Sequence, residues 1–72
     1  MNHIEHILIT VNGASQSVPL GTRLATVIAQ AQLVAETVAT AVNGSFVARN
    51  DRIAHELLAG DAVFTFQAIT GG

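Results

Sequence analysis

The 72-residue sequence has no cysteine, lysine, tryptophan or tyrosine, a single proline, and charge on only 11% of its residues. Without cysteine there is no disulfide framework, no thiolate metal site and no thiol nucleophile. A fold of this size must then rest on side-chain packing alone, which suits the reducing cytoplasm. The cations are Arg23, Arg49 and Arg52 against five acids, a formal net charge of −2. Nucleic-acid binders neutralise phosphates with a basic stripe, and none is present. No apolar run approaches the about 20 residues of a membrane-spanning helix. The uncharged stretches 24–35 and 37–48 are interrupted by Gln, Thr, Asn and Ser. The first six residues, Met-Asn-His-Ile-Glu-His, lack the basic and apolar regions of a secretory leader. Yet half of the residues are apolar, too many for a disordered chain. One small domain over residues 1–72 is expected.

Residues 7–11, Ile-Leu-Ile-Thr-Val, have strand composition. Asn12-Gly13 follows, and a type I′ hairpin turn needs positive φ at both of its central residues. Residues 15–18 make the return strand, which Pro19 ends. Gly21 and Thr22 then supply a loop glycine and a capping hydroxyl for a helix. On that helix Leu24, Val27, Ile28 and Ala31 share one face, with an end near Gln32 and Leu33. Residues 37–42 are a third strand, Asn43-Gly44 a second hairpin turn, and residues 45–47 a fourth strand. The polar segment 49–56 has room for one helical turn, Leu57-Leu58 is an apolar anchor, and residues 62–67 form the last strand. The order ββαββ(turn)β specifies an α+β domain, a mixed sheet of four to five strands packed on one helix.

The chain stops at Ala68-Ile69-Thr70-Gly71-Gly72. At a glycine usage of about 7%, a terminal pair arises by chance in roughly 0.5% of chains. Together with the ββαββ order, the pair makes the chain from residue 7 to residue 72 resemble the ubiquitin-like β-grasp proteins. Among these it is similar to the ThiS-type sulfur carriers of thiamine biosynthesis. The matching segments are Ile9-Thr-Val11-Asn-Gly13, Gly21-Thr-Arg-Leu24 with Val27-Ile28, and Val38-Ala-Thr-Ala-Val42-Asn-Gly-Ser-Phe46-Val47-Ala-Arg49. Leu57-Leu-Ala-Gly60-Asp61-Ala-Val63 and the terminal Gly71-Gly72 complete the set. The chain departs from the family pattern in residues 1–6, a short N-terminal extension, and at Arg23, Ala48 and Arg52. Arg52 stands where an aromatic is common.

The resemblance implies a protein co-substrate rather than an enzyme. An E1-like adenylyltransferase of the ThiF type would spend ATP on the Gly72 carboxylate, and a persulfide enzyme would supply the sulfur of a thiocarboxylate. A thiazole synthase of the ThiG type would receive that sulfur. The carrier itself would bind no cofactor. Residues 68–72 would be a flexible tail, with Thr70 and Gly71 entering the partner's site, where glycine avoids clashes because it lacks Cβ. With no lysine, the N-terminal amine is the only internal amine an activated Gly72 can meet. Three alternatives share the Gly-Gly end. One is the small subunit of molybdopterin synthase, whose chains often carry prolines before the tail, whereas Pro19 is the only proline here. The others are a non-covalent ubiquitin-like interaction module and a protein-conjugating modifier.

The remaining polar residues form no constellation. His3 and His6 would fall on opposite faces of an extended segment, and His55 is alone, so no metal site is expected. Ser15, Ser17 and Ser45 lack an activating partner motif, and Asp51, Glu56 and Asp61 read as loop and turn acids. Phe64 and Phe66 sit two apart on the last strand and share a face. Hydrophobicity alone would bury them. The family pattern instead turns Val63 and Thr65 inward and leaves both rings on the open face beside the tail, a docking patch for the partner enzymes.

Overall fold

The computed structural model describes residues 4–31, 33 and 37–67. Strand β1 (His6–Val11) turns into β2 (Ala14–Pro19), helix α1 (Leu24–Gln30) follows, and β3 (Val38–Val42) turns into β4 (Ser45–Val47). A 3-10 turn at Arg49–Asp51 leads by a turn-containing connection to β5 (Ala62–Gln67). The five strands form one sheet in the order β2-β1-β5-β3-β4. β5 pairs parallel with β1 and antiparallel with β3, so the last strand is the central one.

Both hairpins turn at Asn-Gly. Asn12 and Asn43 have φ of 52° and 53°, and Gly13 and Gly44 have 87° and 84°, the double positive-φ geometry of a type I′ turn. The register then sorts side chains by parity. Ile7, Ile9, Val18, Val38, Val42, Val47 and Val63 point inward and bury against Leu24, Val27 and Ile28 of α1, with Leu57 closing the core. Ile9, Leu24, Leu57 and Val63 are at most 1% exposed. Of the apolar pair at 57 and 58, only Leu57 is an anchor; Leu58 faces solvent.

The start of α1 differs from the sequence expectation. The Thr22 hydroxyl donates to Pro19 O at 2.6 Å, within its own turn, and Arg23 occupies the N-cap position without a side-chain bond to the helix. The free amides of the first turn go instead to the late connection: Leu24 N–H donates to His55 O (2.9 Å) and Ala25 N–H to Arg52 O (3.2 Å). Backbone carbonyls from the connection between β4 and β5 thus satisfy donors that a helix leaves open at its start. The helix also ends earlier, at Gln30, with Ala31 exposed as its C-cap.

Among the described residues, no helix is long and apolar enough to cross a membrane.

Candidate functional site

The segment singled out by the sequence follows β5 in the chain, and three polar side chains determine how that strand sits. Asn12, in the first hairpin turn, donates from Nδ2 to Thr65 Oγ1 and accepts at Oδ1 from Thr65 N–H, both at 2.9 Å. Asn43, in the second turn, accepts at Oδ1 from Ala62 N–H and donates from Nδ2 to Asp61 Oδ1, again at 2.9 Å. Asp61 is itself buried and accepts from Leu58 N–H at 2.8 Å through its other oxygen. Backbone bonds from Asn12 N–H to Val63 O and from Asn43 N–H to Ala62 O, each 2.8 Å, run beside these side-chain contacts. The two turn asparagines thus brace β5 from opposite sides. Their positive φ was visible in the Asn-Gly pairs; their second duty was not, because the partners lie far away in the chain. Asp61, expected as an ordinary turn acid, is a buried acceptor that orients Asn43.

β5 is described to Gln67, which pairs with Val38. Thr70, Gly71 and Gly72, with the whole tail 68–72, lie outside the described residues, as does His3. His6 is exposed and its Nδ1 lies 3.0 Å from Ile4 O. Among the described residues, no three His, Asp or Glu side chains gather as a metal site.

Phe64 and Phe66 lie on the open face of the sheet, 41% and 56% exposed, while Val63 is fully buried beneath them. Strand register adds a third ring. Ala41 is the cross-strand partner of both Phe64 and Phe46, so the row Phe64-Ala41-Phe46 crosses three strands, and Ala39-Phe66 forms the row beside it. Phe46 is 72% exposed, and Ala41 is buried on this otherwise open face. All three aromatics of the chain therefore stand on one surface. Phe46 was missed because its strand has three residues and no alternation of its own to read.

On the other side of the sheet, Arg52 is buried. Its Nε donates to Thr40 Oγ1 (3.0 Å) and its Nη2 to Val38 O (2.7 Å), while Thr40 Oγ1 donates to Val47 O (2.8 Å). Burial, and then the nearby charge of Arg49, hold the Arg52 guanidinium below its ordinary pKa. The departure from an aromatic at this position is thus accommodated by a buried network joining the 3-10 turn to β3 and β4. Thr40, with no exposed surface, is the residue that makes it possible.

A mixed sheet with a central last strand, wrapped on one helix and carrying an apolar outer face, defines a ubiquitin-like β-grasp domain. The chain matches the ThiS family over residues 7–72, and it belongs to that family of small sulfur carriers. Among solved structures it is similar to the thiamine biosynthesis protein ThiS from Geobacter metallireducens. The two are 26% identical, with a TM-score of 0.79 over 92% of this chain and 100% of that one. A search of curated protein sequences finds no match.

Proposed function

We propose that the chain carries sulfur for the thiazole moiety of thiamine as a thiocarboxylate on Gly72. Family membership through residue 72 carries this reading, and the bracing of β5, the strand that leads to the tail, supports it. A free carboxylate is a poor acyl donor because its charge is delocalised and its leaving group is oxide. In this reading an E1-like adenylyltransferase of the ThiF type joins the Gly72 carboxylate to AMP and releases pyrophosphate. The terminal sulfur of an enzyme persulfide attacks the acyl carbon and expels AMP. Thiol reduction of the resulting acyl disulfide frees the thiocarboxylate, which a thiazole synthase of the ThiG type consumes, regenerating the carboxylate. The carrier is a co-substrate in the cytoplasm, and ATP binds the partner. Thr70 and Gly71 follow Gly72 into the partner's site.

The open face supplies the docking element. An exposed apolar surface with clustered aromatics is typical of protein interfaces; Phe64 and Phe66 stand on the strand that leads to the tail, and Phe46 extends their row across β3 to β4. Incubating the purified chain with its adenylyltransferase, ATP and a sulfur source should add the mass difference between sulfur and oxygen. Deleting Gly72 should abolish that gain while the circular dichroism spectrum is unchanged. Sulfur loading of the deletion variant at the normal rate would overturn the reading.

A further inference from the structure

Two of the three arginines of this acidic chain line one groove, and the third bonds a residue of its wall. Arg23 donates from Nη1 to Ile53 O at 3.2 Å, and Arg49 and Arg52 line an open groove beside α1 together with Ile53. The groove is open to solvent with a volume of about 200 Å³, and it is lined by Ala25, Ile28 and Ala29 of the helix, Leu33 beyond it, and Ile53. Ile53 is 72% exposed, an aliphatic side chain held at the rim by its own backbone contact to Arg23. Arg49 is exposed at the other rim. Burial is the main reason the Arg52 guanidinium stays below its ordinary pKa, and repulsion from Arg49 adds to it. An anion beside Arg49 would relieve that repulsion.

We infer that this groove is a second protein-docking site, which takes an acidic segment of a partner by seating one apolar side chain between α1 and Ile53 and a flanking carboxylate on Arg49. The charge pattern favours this occupant. Two of the three arginines of a net-negative chain line an apolar slot, with Arg49 exposed and Arg23 bonded to the adjacent Ile53 carbonyl, whereas a nucleic acid needs a broad basic surface. The groove lies on the helix side of the domain, opposite the phenylalanines, so both faces can be engaged at once. A carrier can then be held by one protein while its tail is presented to another. Binding here is independent of tail chemistry, so its failure and that of the sulfur-carrier reading are separable.

The test is a titration of the full ¹⁵N-labelled chain with the synthetic peptide acetyl-Asp-Glu-Leu-Leu-Glu-Asp-amide, followed by amide chemical shifts. Saturable shifts are expected at Ala25, Ile28, Ala29, Arg49 and Ile53, with none on β5. Replacing the peptide's acids by lysine should remove them, and Arg49→Glu should weaken binding about tenfold or more, as loss of a charge-assisted contact does. Ile53→Ser tests the apolar half with the charge intact. The inference is overturned if the acidic peptide causes no saturable shift, or if the lysine peptide binds equally. Shifts on Phe46, Phe64 and Phe66 instead, or equal shifts with oligouridylate, would overturn it as well.

Discussion

The inner face of the sheet presents Ile7, Ile9, Val42, Val47 and Val63 to α1, whereas the outer face presents Leu8, Phe46, Phe64 and Phe66 to water. Both faces carry apolar side chains, although Thr10, Ser15 and Ser17 interrupt the outer one, and the apolar residues left outside are the larger ones. Burying a phenylalanine removes at least as much apolar surface from water as burying a valine, so a chain arranged for stability alone would bring its rings inside. Here parity decides. Val63 and the rings at 64 and 66 must point opposite ways, and the shallow space under a short helix takes the aliphatic set. The inner face builds the domain, and the outer face retains a surface whose burial awaits another protein on the proposed reading.

The sharpest way to break this division is to truncate one residue from each face. Leu24→Ala or Leu57→Ala removes a fully enclosed side chain and should cost about 2–5 kcal/mol. Since a core of this size supplies only about 3–5 kcal/mol, urea titration followed by circular dichroism should find these variants largely unfolded. Thr40→Val comes next. It leaves the Arg52 Nε–H without its acceptor and Val47 O without its donor, and should lower stability by about 1–3 kcal/mol. Asn43→Gly keeps the positive φ yet removes both contacts to the start of β5. A loss of about 1–2 kcal/mol in the same titration is expected, with Asn43→Ala worse because it also strains the turn. Phe64→Ser should change stability least, by about 1 kcal/mol or less, while weakening adenylyltransferase binding about tenfold or more in calorimetry. A midpoint shift for Phe64→Ser as large as that for Leu24→Ala would erase the distinction between the faces.

Features with a local cause were legible before the structure. The Asn-Gly pairs announced both hairpins because positive φ is a property of two adjacent residues. The orientation of Phe64 came from the family pattern, with period-two alternation placing it opposite Val63, whereas hydrophobicity alone favoured burying it. Features whose cause lies across the fold were not legible. Thr22 looked like the helix cap, but the amides it was expected to satisfy are met by carbonyls from the connection around Arg52 and His55. Arg52 looked like an odd loop residue, because its acceptors on Thr40 and Val38 become neighbours only when β3 is in place. The tail motif was readable as composition and order, whereas the asparagine braces behind it required the register of β5 against both neighbours.

The central position of β5 has a kinetic consequence. Before residues 62–67 are available, the sheet exists only as β1-β2 and β3-β4, two hairpins without a shared neighbour, and isolated two-stranded hairpins are marginal in water. Joining them requires Thr10 to meet Ala62, a contact between residues about fifty positions apart, and such long-range closures slow folding. The helix start waits on the same late connection. A chain still emerging from the ribosome therefore has no stable partial domain to pause in. It should fold in one cooperative step once β5 is available, and internal truncations that remove β5 should leave an unstructured polypeptide rather than a smaller domain.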